Sequence, residues 1–164
     1  MKLKNMLMLA AAILTVFASV TVSSASDVGA DGGPAFQTLE RIETIVYGSP
    51  KGGGLLSRLN TAEKDVFGRE LPGSLTERQT AMLDFLEKGT TTQPSLLFKL
   101  SVAEWAVSQQ IHPEWSLARR IDTMETIVEG TVQGGALASR TERLITKLLP
   151  EGVLATPVEI PATT

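Results

Sequence analysis

A helical unit of about 20 residues recurs six times between residues 35 and 150, and this repeat constrains the fold more than any other feature. From Thr38, successive anchor positions are separated by steps of 20, 20, 21, 21 and 20 residues. A single short helix cannot bury its apolar face alone, so the repeat predicts stacked helices around one core. The anchors are Thr38, Arg58, Arg78, Lys99, Arg120 and Arg140.

Apolar residues recur three positions before the anchor and four and eight positions after it, and in four units also one position after it. This spacing places them along one side of an α-helix. In four units a glycine follows the anchor by ten or eleven residues, and glycine commonly ends helices through a left-handed turn. The predicted fold class is therefore all-α, with six short antiparallel helices arranged as two three-helix halves or a short helical array.

The residue five positions after the anchor divides the units into two groups of three, because it is aliphatic in the third and sixth units and glutamate in the others. This pattern predicts halves at residues 35–89 and 95–150, separated by the Thr- and Pro-containing stretch 90–94. Residues 151–164 carry Gly and Pro breaks without helical periodicity. They predict an extended C-terminal tail, with residues 153–155 the candidates for contact with the body.

The first 25 residues have the composition of an export signal peptide. Two lysines precede an apolar run over residues 6–22, and small residues at 23–25 form a cleavage site. A retained membrane anchor is the alternative, which the short run and its Ser and Thr residues disfavour. We expect cleavage, a flexible N-terminus over residues 26–34, and a periplasmic, extracellular or cell-surface location. Loss of two lysines and no acids would change the formal net charge from −3 to −5.

Composition argues against several classes of function. A net negative charge disfavours nucleic acid and anionic lipid, so membrane contact is expected only through an uncleaved signal segment. Absence of cysteine excludes disulfides and thiolate metal sites, and the single histidine, His112, cannot form a histidine pair. The glycine-rich loops at 49–54 and 132–136 lack the spacing of a phosphate-binding loop. We therefore predict no metal and no cofactor.

The repeated Glu and Arg residues raise the question of catalysis, because paired carboxylates can perform acid–base chemistry. An active site is normally built once, whereas these residues occur once per helix on opposite borders of the apolar stripe. They predict structural ion pairs between neighbouring helices, which would fix how the units pack. The residues concerned are Glu43, Arg58, Glu63, Arg78, Glu104, Arg120, Glu125 and Arg140.

Trp105 departs from the repeat, because it lies on the predicted polar face where the other units carry Thr, Lys or Asp. Either the following turn folds back so that Ile111 and Trp115 cover it, or it belongs to a contact surface. We expect the turn to cover Trp105 and to form the margin of a binding surface. With His112 from the same turn, these residues are the candidate binding site.

The segments LERIETIVYG (39–48) and SRLNTAEKDVFGRELPGSLTER (57–78) resemble secreted bacterial proteins built from copies of an Arg-Leu-x-x-Leu-Glu-x-x-Val-Phe-Gly unit. The resemblance covers most of residues 36–150 and implies export and repetition without supplying catalytic residues. The third, fourth and sixth units depart from the pattern at Leu83, Ser108 and Ile145.

These features predict a non-enzymatic exported protein, a structural or protein-interaction module of the cell envelope. Its partner would be a protein or envelope component, with self-association as a further possibility. The alternative is a peptidoglycan-directed enzyme or cell-wall-binding domain that uses the repeat carboxylates Glu43, Glu63, Glu104 or Glu125. An enzyme needs two of these carboxylates in one cleft, whereas a scaffold keeps each at its own helix junction.

Overall fold

The computed structural model of the protein describes residues 33–90 and 92–149. These residues contain six α-helices and no strand, so the predicted all-α class is confirmed. The signal peptide predicted at 1–25, most of the N-terminus predicted at 26–34, and the tail predicted at 151–164 lie outside the described residues. The helices are α1 Pro34–Tyr47, α2 Leu55–Phe67, α3 Leu75–Leu83, α4 Leu96–Ser108, α5 Leu117–Glu129 and α6 Leu137–Leu148.

The helices pack as two triads that share one core. In the first triad α1 packs against α2 and α3, and α2 packs against α3; in the second, α4, α5 and α6 all contact one another. Between the triads, α1 packs against α5, α2 packs against α6, and α4 packs against the end of α3. All six helices belong to one compact unit and contribute to a single hydrophobic cluster.

The apolar side of each helix lines this core. The side chain four positions after the anchor is at most 2% exposed in all six units. In the third and sixth units the position one after the anchor is polar, yet Gln79 and Thr141 are buried there. Gln79 donates to the carbonyl oxygen of Ala35 and Thr141 to that of Leu137, so both buried donors are satisfied.

The third unit accommodates an extra residue as a π-helical turn. Gly89 follows Arg78 by 11 residues, one more than in the other units that end in glycine. The turn Asp84–Lys88 continues α3, and its wider hydrogen-bond ring takes up the additional residue. Leu86 from this turn is fully buried. The insertion therefore leaves the core position eight residues after the anchor in phase with the other units.

The fourth unit ends without glycine, and Gln109 occupies the corresponding position. Its φ of 54° is the only positive value for a non-glycine residue within 33–90 and 92–149. At the same position, Gly48, Gly68 and Gly130 adopt the left-handed conformation that ends α1, α2 and α5. An L side chain in this region is less stable than glycine by about 1 kcal/mol. The end of α4 therefore carries backbone strain that the other three ends avoid.

Replacing a stripe residue should distinguish the core from the outer face of the helices. Leu59 is fully buried, so Leu59→Ala should lower the free energy of unfolding by about 2 to 5 kcal/mol. Thr44 is exposed on α1, and Thr44→Ala should change it by less than about 0.5 kcal/mol. Urea denaturation measures both. Equal losses would contradict the helical phase described above.

Relieving the strain at the end of α4 should stabilise the protein. We expect Gln109→Gly to raise the free energy of unfolding by about 1 kcal/mol, measured by urea denaturation. Gly130→Ala is the control in the opposite direction, because it places a side chain in the left-handed conformation. A Cβ at Gly130 would meet no atom within 4 Å, so the loss of stability in this variant measures the backbone effect alone. A loss of stability in Gln109→Gly would refute backbone strain as the dominant effect at this position.

Candidate functional site

Glu43 and Arg58 form a buried, two-point ion pair where α1 meets α2. Arg58 Nε donates to Glu43 Oε1 at 3.0 Å, and Arg58 Nη2 donates to Glu43 Oε2 at 2.7 Å. The backbone N–H of Lys51 donates to the same Oε2 at 2.8 Å. Glu43 is 0% exposed and Arg58 is 9% exposed. One carboxylate therefore connects α1, the following loop and α2.

The same arrangement recurs at three further junctions, between α2 and α3, α4 and α5, and α5 and α6. At each junction, the guanidinium donates through Nε and Nη2 to the two oxygens of one carboxylate. The six N···O distances lie between 2.5 and 3.0 Å. A backbone N–H eight residues after each glutamate donates to its Oε2, from Leu71, His112 and Gln133. The pairs are Glu63 with Arg78, Glu104 with Arg120, and Glu125 with Arg140.

A further polar residue completes three of the junctions, and the sequence analysis did not identify it. The side chain three positions before the glutamate accepts a hydrogen bond from Nη2 of the paired arginine. The acceptors are Asn60 at 2.6 Å, Ser101 at 2.8 Å and Asp122 at 2.6 Å. All three residues precede the glutamate by the same number of positions, and this constant spacing could have identified them from the sequence. Because the three residue types differ, a search for one repeated letter misses them.

Two of the paired carboxyl groups, those of Glu43 and Glu125, are held in their charged form. Burial raises the pKa of Glu43, but the hydrogen bonds from Arg58 and Lys51 and the nearby positive charge outweigh it, so this pKa lies below its ordinary value. The pKa of Glu125 is lowered against the same opposing effect of burial, by Arg140 and the Gln133 N–H. The Glu43–Arg58 and Glu125–Arg140 pairs therefore remain charged at neutral pH.

Three of the four junctions also carry an outer contact, and its chemistry differs from one junction to the next. The residue nine positions after one anchor faces the residue seven positions after the next anchor. At the α1–α2 junction the Tyr47 hydroxyl donates to Asp65 at 2.6 Å. At the α2–α3 junction two phenylalanine rings meet edge to face with centroids 4.8 Å apart, and at the α5–α6 junction a lysine donates to a glutamate at 2.6 Å. These pairs are Phe67 with Phe85 and Glu129 with Lys147.

An open cavity of about 270 Å³ lies beside the α1–α2 junction. Two carboxylates line it, from Glu43 and Asp65, and each already has a partner. Glu43 accepts from Arg58 and Lys51, and Asp65 accepts from Tyr47. Burial and the hydrogen bond to Asp65 raise the pKa of Tyr47, so its hydroxyl stays protonated. The four repeat glutamates do not converge in this cavity, which contains Glu43 alone among them.

The expectation that Ile111 and Trp115 cover Trp105 is wrong. Trp105 is 61% exposed and Ile111 is 51% exposed. The turn after α4 packs against Glu104 instead, because the backbone N–H of His112 donates a hydrogen bond to the Glu104 carboxylate. The Trp115 ring stacks on the His112 ring with centroids 4.0 Å apart, and the Arg119 guanidinium lies 3.9 Å from the Trp115 ring centroid. Trp115 and His112 therefore pack at the start of α5 and leave Trp105 open.

Trp105 belongs to an exposed apolar row on α4, which we call the α4 outer face and define as Phe98, Val102 and Trp105. These residues follow one another at helical spacings of four and three, with Phe98 54% exposed and Val102 half-buried. The charged residues of α4 are Lys99 and Glu104, and both are buried. The outer face therefore carries no charge within α4. The sequence analysis missed Phe98, because this residue lies one position before the Lys99 anchor and is not one of the repeated apolar positions.

Comparisons with protein-family models, curated proteins and solved structures found no match to this chain. Among the described helices, none has the length and apolar character needed to cross a membrane. Within the same part of the chain, no three His, Asp or Glu side chains converge as metal ligands. The function must therefore be inferred from the junctions and the α4 outer face.

Breaking one junction should destabilise the protein strongly. Glu125→Gln removes the buried carboxylate that pairs with Arg140 and leaves this guanidinium only the half-exposed Asp122 carboxylate, so the free energy of unfolding at pH 7 should fall by about 3 kcal/mol. The control is Glu70→Gln, because Glu70 pairs with Lys64 at 2.8 Å in an exposed position where little change is expected. Urea denaturation measures both variants.

This loss should also depend on pH. The pKa of Glu125 is lower in the folded protein, so its contribution is full above the unfolded pKa of about 4.3 and disappears as the pH falls through the folded pKa. The difference between wild type and Glu125→Gln should therefore shrink below about pH 4. A difference that stays constant from neutral to strongly acidic pH would contradict a charge-based role.

Proposed function

We propose that this protein is a non-enzymatic exported scaffold that binds a protein or another envelope component through the α4 outer face. The observation that carries the proposal is the exposure of Phe98 and Trp105, at 54% and 61%, on a helix face without charge. Large aromatic side chains in such positions are typical anchors of protein interfaces. Export rests on the signal-like composition of residues 1–25.

The state of the repeat glutamates supports a scaffold over a peptidoglycan-directed enzyme. Each carboxylate accepts two hydrogen bonds from an arginine and one from the backbone, and each lies at a different helix junction. Acid–base catalysis requires a carboxyl group that exchanges a proton with substrate. Carboxylates bound in this way are suited to positioning helices.

The chemistry of the α4 outer face indicates the kind of partner. It offers two aromatic rings and a valine without ionic groups, so the matching surface on the partner is apolar. Ile111, exposed in the turn after α4, adds to the apolar margin. A polysaccharide strand also needs hydrogen-bonding partners for its many hydroxyl groups, and the side chains of this face offer only the Trp105 indole N–H. A peptide or protein surface with aliphatic side chains fits better.

The proposal predicts that Trp105 contributes to partner binding. Crosslinking and pull-down from native envelope, with an affinity tag ahead of residue 33, would recover the partner and allow its affinity to be measured. Trp105→Ser should weaken binding by about tenfold or more, as loss of an aromatic anchor does. Thr126→Ser is the matched control, because Thr126 occupies the same repeat position on α5 and is exposed.

Two results would contradict the proposal. Equal binding by both variants would exclude the α4 outer face as the interaction site. Release of soluble fragments from purified peptidoglycan by wild type but not by Glu43→Gln would contradict the non-enzymatic assignment. The Glu43→Gln protein must be shown to be folded by circular dichroism before that comparison is made.

A further inference from the structure

We propose that the cavity beside the α1–α2 junction binds the guanidinium group of an arginine side chain presented by another protein. The residues that line this cavity come from α1, α2 and the loop between them. The proposal is therefore independent of the α4 outer face. It rests on a comparison with the α5–α6 junction, where an arginine of the chain itself lies at the corresponding position.

The α1–α2 and α5–α6 junctions correspond residue by residue. The paired glutamates and the paired arginines are separated by the same number of residues in both junctions, with the same hydrogen bonds between them. The connecting loops, residues 48–54 and 130–136, have equal lengths. Gly53 and Gly135, which occupy the same place in these loops, both have a φ of 112°. Each residue of one junction therefore has a structural counterpart in the other.

At the α5–α6 junction, Arg143 places a second guanidinium group beside the ion pair. Its Nη2 donates to the carbonyl oxygen of Gly134 at 3.3 Å and lies 3.6 Å from Glu125 Oε1. The same Oε1 accepts a hydrogen bond from Arg140 Nε at 3.0 Å. One glutamate oxygen and one loop carbonyl group thus form a position that suits a guanidinium group.

At the α1–α2 junction, the counterpart of Arg143 is Thr61. The Thr61 hydroxyl donates to the carbonyl oxygen of Ser57 within α2 at 3.0 Å, and this short side chain leaves space beside the ion pair. The space belongs to the cavity, because Glu43, Gly52 and Thr61 all line it. These three residues are the counterparts of the glutamate, glycine and arginine of the α5–α6 junction.

The size of the cavity suits one side chain. Its volume is about 270 Å³, just below the range of about 300 to 1,000 Å³ that small-molecule sites occupy. A water molecule takes about 30 Å³ in the liquid, so the cavity accommodates a guanidinium group together with part of its aliphatic chain. A larger cofactor would extend beyond it.

The α1–α2 junction also has one positive charge fewer than its counterpart. At the α5–α6 junction, the carboxylates of Asp122 and Glu125 lie beside two guanidinium groups. At the α1–α2 junction, Glu43 pairs with Arg58, and the charge of Glu40, the counterpart of Asp122, acts on the same guanidinium. A guanidinium group bound in the cavity would restore the balance of charge found at the α5–α6 junction.

Two further charged residues of the cavity affect a bound cation in opposite directions. Within the described residues, Asp65 accepts only the Tyr47 hydroxyl, through Oδ2, so its Oδ1 can accept from a guanidinium group. Lys51 contributes a positive charge, and its Nζ lies 4.7 Å from the centroid of the Tyr47 ring. The counterpart of Lys51 is the neutral Gln133. Lys51 should therefore weaken the binding of a cation, whereas it would strengthen the binding of an anion.

Titration with a short peptide tests the site directly. The probe is a glycyl-arginyl-glycine peptide blocked at both ends, added to the full chain and followed through the backbone amide NMR signals of Gly52 and Thr61. Binding should be saturable. The same peptide with citrulline, which has nearly the shape of arginine without its charge, should bind at least about tenfold more weakly.

Substitutions in the cavity should change this affinity in predictable directions. Thr61→Arg should abolish binding, because its guanidinium would occupy the cavity as Arg143 does at the α5–α6 junction. Thr126→Arg adds the same charge on the exposed side of α5 and is the matched control, with little change expected. Asp65→Asn should weaken binding by about tenfold, and Lys51→Gln should strengthen it by about threefold or more. Thr61 and Asp65 are exposed, so these variants should remain folded.

The α5–α6 junction provides a reciprocal test. Arg143→Thr should open an equivalent cavity there and add a second site for the arginine peptide, detected through the amide signal of Gly134. Trp105→Ser should leave peptide binding unchanged, which separates this site from the α4 outer face.

Several results would overturn the proposal. Equal binding of the citrulline peptide, or unchanged binding in Thr61→Arg, would exclude a guanidinium site in the cavity. Weaker binding in Lys51→Gln would favour an anionic ligand instead. Binding of agmatine, a free guanidinium compound, at least about tenfold more tightly than the peptide would exclude a partner's arginine in favour of a small free cation.

Discussion

The buried Glu–Arg pair is the interaction on which the rest of the fold depends. Two charges taken out of water are tolerated only when geometry and hydrogen bonding are nearly complete, and both conditions hold between Glu43 and Arg58. A helix that slid by one residue would separate the guanidinium from its carboxylate inside the protein. Apolar stripes alone permit such sliding, since neighbouring aliphatic residues are interchangeable. The pairs therefore determine which alignment of the helices is stable.

The positions without a pair are equally informative. The third and sixth units carry Leu83 and Ile145 where the others carry glutamate. The helix after the third unit has Lys99 at its anchor, and this ammonium pairs with Glu142 of α6 within its own triad. Sequential pairing of neighbouring helices thus stops where one triad ends. The triads then meet through apolar packing, with α1 against α5 and α2 against α6.

Features that repeat were accessible from the sequence, and features that occur once were not. The all-α fold class and the apolar side of each helix could be predicted from the spacing of apolar residues, because that spacing recurs in every unit. The π-helical turn at Asp84–Lys88 and the left-handed Gln109 depend on how one unit adjusts to its neighbours. The expectation for Trp105 failed because Glu104 and Arg119 compete for the turn that would have covered it. The spacing of residues along the sequence does not show which of several possible contacts a turn will make.

The variable outer contacts help to explain how helices of similar sequence avoid packing in each other's positions. The segments ETIVYG and ETIVEG, which end α1 and α5, differ at one position, Tyr47 against Glu129. If these two helices exchanged places during folding, Glu129 would face Asp65, and two carboxylates would meet where the Tyr47 hydroxyl now donates a hydrogen bond. The correct arrangement gives Glu129 a lysine instead. Helices of similar sequence can therefore use the same kind of buried pair, provided that one neighbouring residue in each helix favours a single position in the fold.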